Sequence, residues 1–146
     1  MVNWIETKVK YEKTLENGAK KVVTEQYLVD AYSFAEAEAR IIEEVTPYIQ
    51  GDFSVSAVKR TNISEIFFNE DTSADKYYKI KAAFITLDEK TGAEKRSNAN
   101  YLVQAENLEG ALENFKDGMK GTLGDFEIVS ISETAIVDVI KYKQKE

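Results

Sequence analysis

Hydrophobic and polar residues alternate from Trp4 to about Lys13, with Ile5, Thr7, Val9 and Tyr11 on one side and Trp4, Glu6, Lys8 and Lys10 on the other. A period of two is that of a half-buried strand. Asn17-Gly18 follows, a pair favoured in tight hairpin turns because such turns need positive φ. The alternation resumes from about Lys20 to Ala31 through Val23, Tyr27, Val29 and Ala31. The period then changes. Ser33-Phe34-Ala35-Glu36 is a capping-box sequence, in which the Ser33 hydroxyl accepts from the Glu36 amide and the Glu36 carboxylate reaches back to the Ser33 amide. Phe34, Ala37, Ile41 and Val45 then fall on one helical stripe. Pro47 draws Thr46 away from αR geometry, which ends the helix by about Val45. Phe53, Val55 and Ala57 predict a third strand, and Ile63 to Phe68 a short fourth.

The same script runs again. Tyr27-Leu28-Val29-Asp30-Ala31 returns 74 residues later as Tyr101-Leu102-Val103-Gln104-Ala105, and seven of fourteen positions agree between 18–31 and 92–105. Gly51-Asp52-Phe53 answers Gly124-Asp125-Phe126 at an offset of 73. Tyr78, Ile80, Ala82 and Phe84 alternate as a strand, Asn107 caps a helix with the stripe Leu108, Ala111, Phe115 and Met119, and Phe126, Ile128 and Ser130 match the third strand. Ile136, Val139 and Ile140 match the fourth, and Gly118 and Gly121 weaken the end of the second helix. Self-similarity of this kind points to an internal duplication. The expected fold is α+β: a duplicated β-hairpin–helix–strand(–strand) unit, with an antiparallel sheet covered by one helix per repeat and a pseudo-twofold relation between repeats. The expected boundaries are a first repeat at 1–68, a polar linker at 69–76, a second repeat at 77–142 and a frayed tail at 143–146. Joining the two sheets into one would hide edge strands, so a continuous sheet is expected.

With 146 residues, 43% of them hydrophobic, the chain has enough apolar mass for a core, and its repeats are small enough to favour packing as one compact unit. It contains no cysteine and no histidine. That removes disulfides, thiol nucleophiles, the commonest general base and the commonest transition-metal ligands. No phosphate-binding loop or dinucleotide fingerprint is present. Glu36, Glu38, Glu43 and Glu44 read as a solvated helix face, and Glu65 and Asp138, at equivalent places in the two fourth strands, read as outward residues. No catalytic, cofactor or metal residue is therefore assigned, and a non-enzymatic role is expected. No apolar run is long enough to span a bilayer, and the first residues lack a signal-peptide pattern, so a cytoplasmic, membrane-free location is expected.

The net charge of −7 disfavours nonspecific binding to nucleic acid. The aromatic residues are the stronger clue. Trp4 falls on the charged side of its strand, and Phe67, Phe68, Tyr77 and Tyr78 flank the polar linker in pairs that cannot all point inward. Exposed rings among charges mark protein-contact surfaces. These five residues are the contact candidates of a protein-binding or adaptor module. The alternative is a single-stranded nucleic-acid binder that uses Lys8, Lys10, Lys79 and Lys81 with neighbouring rings, although interleaved Glu6, Glu25 and Glu94 oppose it.

Trp4 with Tyr11-Glu12-Lys13, Glu16-Asn17-Gly18, the Tyr27–Ala31 run, Ser33-Phe34, Glu36-Ala37-Glu38-Ala39-Arg40 and Ile85-Thr86-Leu87-Asp88-Glu89-Lys90 carry a likeness. On these residues the chain resembles an uncharacterised family of small proteins from Bacteroidetes and their phages, a domain of unknown function. The resemblance implies a bacterial or phage cytoplasm, in which modulation of a host protein is a natural extension of the adaptor reading. It implies no activity, cofactor or catalytic residue.

Overall fold

The computed structural model describes residues 3–122 and 124–141. In chain order these form β1 (Trp4–Thr14), β2 (Lys20–Asp30), α1 (Phe34–Val45), β3 (Phe53–Arg60), β4 (Ile63–Phe67), β5 (Lys76–Leu87), β6 (Glu94–Ala105), α2 (Leu108–Gly118), β7 (Asp125–Glu133) and β8 (Ile136–Ile140). The chain is α+β, with two four-stranded sheets in the orders β3-β1-β2-β8 and β4-β6-β5-β7. It divides into two units: residues 1–61 with 135–146, and residues 62–134.

This grouping differs from the expected boundaries. The first short strand, β4, pairs with β6 in unit 2, and the last, β8, pairs with β2 in unit 1. Both pairings are parallel, so each sheet is mixed rather than antiparallel, and the strands form two sheets rather than one. Thr61 Oγ1 donates to the Trp4 carbonyl at 2.7 Å and Thr134 Oγ1 to the Tyr77 carbonyl at 2.8 Å, holding the ends of β3 and β7 against their own sheets. The chain leaves each unit immediately after those threonines. Nor is 69–76 a linker between units. It is a loop inside unit 2, pinned by Gln104, whose Oε1 accepts from the Asn69 amide and whose Nε2 donates to the Ala74 carbonyl, each at 3.0 Å. The expected tail at 143–146 lies outside the described residues.

Within unit 1, Ile5, Val9 and Val29 point to α1 and meet Ala37, Ile41 and Val45. Within unit 2, Tyr78, Ile80, Ala82, Tyr101 and Val103 meet Ala111, Phe115 and Met119 of α2. The first residue of each stripe is not covered: Phe34 and Leu108 are exposed. Both sit in the first helical turn, and the Arg60 guanidinium lies over the Phe34 ring at 5.9 Å. Ser33 caps α1 as expected, accepting from the Glu36 amide at 3.1 Å, but the Glu36 carboxylate accepts from Tyr32 N–H, one residue before the cap. Asn107 Oδ1 caps α2 through Gly110 N–H at 2.8 Å. Thr46 stays in αR (φ −50, ψ −45) despite preceding Pro47, and its N–H reaches Ile42. The helix stops because Pro47 has no N–H to continue the series.

Two further details depart from simple alternation. The pairing of β1 with β3 slips at Lys8/Val9, and that of β5 with β7 at Lys81/Ala82. The extra residues are Ser56 and Val129, which leave Val58 and Ile131, not Ala57 and Ser130, to follow Val55 and Ile128 into the cores. In the first hairpin only Gly18 takes positive φ (82°), and Asn17 does not. Gly18 N–H donates to the Leu15 carbonyl at 2.9 Å, the geometry of a type I turn closed by a left-handed glycine.

Candidate functional site

The described surface of unit 1 contains a cleft of about 370 Å3. Its apolar lining comes from Val45 at the end of α1, Ile49 beyond it, and Val137 and Ile140 of β8, of which Val45 and Ile140 are buried and Val137 is exposed. Three tyrosines line it: Tyr11 of β1, Tyr27 of β2 and Tyr48, which is 86% exposed at the mouth. Three carboxylates complete it, from Glu25, Glu44 and Asp138, and no lysine or arginine among the described residues lines it. β1 and β2 are paired so that Tyr11, Glu25 and Tyr27 all project from the helix face of the sheet. Tyr27 Oη donates to Glu25 Oε1 at 3.4 Å. Burial, then the adjacent Glu25 charge, pushes the Tyr27 phenol well above its ordinary value, and burial followed by Glu25 raises Tyr11 as well. Both phenols are thus held as neutral hydrogen-bond donors at neutral pH. They are not poised to act as bases.

The equivalent region of unit 2 is filled. The registers Val29–Ile140 and Val103–Phe67 make Phe67 the counterpart of Ile140. The Phe67 ring stacks on Tyr101 with centroids 5.8 Å apart and planes at 7°, and it meets Phe115 edge-on at 6.0 Å. Counting from the two caps, Gly118 stands where unit 1 has Glu44, and a Cβ on Gly118 would lie 2.7 Å from the Phe67 ring. Phe84 and Ala99, at the places of Tyr11 and Glu25, pack against the same core. Four positions therefore differ together. The filled core of unit 2 is matched in unit 1 by three polar side chains and, in place of the Phe67 ring, the shorter Ile140.

The sequence-derived candidates fall elsewhere. Tyr77 and Tyr78 are each 4% exposed, and Phe67 is half-buried against the unit 2 core, so three of the five proposed contact rings are structural. Tyr78 points to α2; Tyr77 lies on the other face of β5 and is nonetheless buried. Trp4 is half-buried and Phe68 is exposed at 37%. The face of β1 that carries Trp4 is less wet than its charges suggest: Glu6 is buried, accepts from Gln26 and pairs with Lys59 at 3.0 Å. Lys8 and Lys10 belong to unit 1, and Lys79 and Lys81 to unit 2. The hairpin cations Lys20, Lys95 and Arg96 face carboxylates of Glu12, Asp88 and Glu127. Glu65 and Asp138 lie in different units, each beside the tyrosine of the neighbouring strand, Tyr101 and Tyr27.

Sequence reasoning missed the cleft, and Glu44 within it, because its parts come from a hairpin, a helix end and a strand about ninety residues later. The one available signal was the pairing of unlike residues at matched positions of the two similar stretches.

Unit 2 has a second hollow, of about 320 Å3, between the loop carrying Asp71 and the start of α2, with Glu106, Glu109 and Glu113 around it. Among the described residues no group of three or more acidic side chains is placed to hold a metal ion. None of the described helices is long and apolar enough to cross a membrane.

Fold and site together define an α+β protein of two helix-covered mixed sheets, one of which carries an open acidic and aromatic cleft. Residues 3–142 match the family model described as Domain of unknown function (DUF4494), and the chain belongs to that family. No curated protein matches the chain.

Proposed function

We propose that the chain is a non-enzymatic binding module whose ligand is a basic segment of another protein, taken up at the cleft of unit 1. One observation carries this reading: a cleft lined by three tyrosines, three carboxylates and four aliphatic side chains, with no described basic residue lining it. Aromatic faces and carboxylates both attract cations. The setting implied by the family likeness, a bacterial or phage cytoplasm, makes a host protein the natural partner. Single-stranded nucleic acid is the second reading, resting on Lys8, Lys10, Lys79 and Lys81; the first two lie in one unit and the last two in the other, and the nearby hairpin cations Lys20, Lys95 and Arg96 already face carboxylates.

The test is a nuclear magnetic resonance titration of the full chain with short peptides of equal length, one rich in lysine and arginine and one rich in glutamate. The basic peptide is expected to shift signals of Tyr11, Glu25, Tyr27, Glu44 and Ile140, and the acidic peptide to leave them in place. Shifts confined to other residues, or none at millimolar peptide, would overturn the assignment.

A further inference from the structure

The two units offer an internal comparison. In unit 2 the space beside the central tyrosine is occupied by a flat group, the Phe67 ring, lying parallel to Tyr101 at 5.8 Å and 7°. In unit 1 the equivalent tyrosine, Tyr27, lines the cleft, and Ile140 stands at the position of Phe67. Ile140 is too short and too branched to present a flat face to that ring. Around the same space Glu25 and Glu44 replace Ala99 and Gly118, so what unit 1 receives there must be compatible with two carboxylates.

We propose that the cleft is an arginine-side-chain site, in which the guanidinium of a partner protein stacks on Tyr27 in the place that Phe67 takes in unit 2. This inference rests on the binding-module reading above and names its ligand chemistry. The guanidinium is planar, carries its charge in a delocalised form, is weakly hydrated and stacks on aromatic faces, whereas the lysine ammonium is a compact and strongly hydrated point charge. Its forked donors suit the carboxylates of Glu25 and Glu44. The three-carbon stem of arginine matches the apolar floor of Val45 and Ile140.

The full chain is titrated by calorimetry with three otherwise identical blocked peptides whose central residue is arginine, lysine or citrulline, the last a neutral group of arginine's shape. The arginine peptide is expected to bind roughly five- to tenfold more tightly than the lysine peptide, a ratio within the range that stacking of a desolvated cation supplies. The citrulline peptide, lacking the charge, is expected to bind weakest. A variant carrying Ile140→Phe with Glu44→Gly introduces two of the four unit 2 residues, including the ring that fills the space, and is expected to abolish binding while still unfolding in a single cooperative transition. Glu25→Gln, which leaves the cleft's volume unchanged, is a second variant expected to weaken arginine binding more than citrulline binding. Equal affinity for arginine and lysine, both lost in the filled variant, would overturn the arginine assignment and leave the binding-module reading standing. Binding that survives filling of the cleft, or no binding by any of the peptides, would overturn both.

Discussion

Replacing glycine by alanine within a helix ordinarily stabilises it by about 0.5–1 kcal/mol, because glycine has more backbone freedom to lose. Gly118, in the last turn of α2, should behave in the opposite way. A Cβ there would lie 2.7 Å from both Cδ1 and Cε1 of Phe67 and 3.0 Å from its Cγ. Carbon atoms in contact prefer about 3.5–4.0 Å, so the ring would have to retreat by about 1 Å. It has little room to do so. Its face is stacked on Tyr101 and its edge meets Phe115, which is fully buried. The clash involves the ring atom nearest the backbone as well as the far edge, so a rotamer adjustment does not relieve it. Forced repacking of this kind costs about 1–3 kcal/mol. Subtracting the helix gain leaves Gly118→Ala destabilised by about 1 kcal/mol, or about 3 °C in melting temperature for a chain of this size. The assay is urea unfolding of the wild type, Gly118→Ala, Phe67→Leu and the double variant. With the smaller Leu at 67, the added methyl group has space, so the two changes should couple by about 1–2 kcal/mol rather than add. A Gly118→Ala protein more stable than wild type, or strict additivity in the cycle, would refute the argument.

Other outcomes follow from single features. Ser33→Ala removes the acceptor of the Glu36 amide and should cost about 1 kcal/mol in urea unfolding, with Ser33→Asp restoring most of it. Tyr27 gives a pH dependence. Its phenol is raised above the ordinary value of 10.0 in the fold, so the fold binds the proton more tightly than the unfolded chain does. The associated stability is fully present below pH 10 and falls as pH rises above it toward the folded value; Tyr27→Phe should flatten the decline measured between pH 9 and 11.5, and an unchanged slope would contradict it. Finally, a protease site placed within 70–73 and cut after folding should leave the two fragments co-eluting on a sizing column. β4 of the first fragment pairs with β6 of the second, and β8 of the second with β2 of the first. Fragments that separate without denaturant would count against those pairings.

What the sequence made legible was local. Both hairpins, both helices and their caps came from periods of two and 3.6 and from Ser33 and Asn107, whose partners lie within three residues. The destination of β4 and β8 was not legible. A five-residue apolar stretch carries no mark of which sheet it will complete or in which direction it will run. The bulges at Ser56 and Val129 were hidden for a related reason: one extra residue reverses the alternation, so Ala57 and Ser130 read as inward although Val58 and Ile131 take those places. Neighbours on a strand face opposite ways, so the sequence predicts that Tyr77 and Tyr78 cannot both point inward; both are buried because both faces of β5 are covered at that point. Glu44 read as a solvated helix residue because it lies beside Glu43, and only the position of β8 turns it into the wall of a cleft.

Shared architecture with unlike filling gives the comparison of units its force. Each helix is tied to its sheet by an equivalent bond, Arg40 to the Asp30 carbonyl and Asn114 to the Gln104 carbonyl. Each third strand carries its bulge at the matching place, and each terminal threonine closes on the matching carbonyl. The strands and the helix starts are thus matched in both units, whereas the segments after the helices differ, with Gly121 at positive φ where unit 1 has Pro47. In unit 2 four rings, Phe67, Tyr101, Phe115 and Phe126, pack in succession at 5.3–6.0 Å. Unit 1 has isoleucine at the places of Phe67 and Phe115, forgoes that stacking, worth about 0.5–1.5 kcal/mol per pair, and sets carboxylates beside a tyrosine instead. The tyrosine of unit 1 is left beside a carboxylate that accepts a hydrogen bond from its hydroxyl, where the tyrosine of unit 2 is left beside a ring that covers its face.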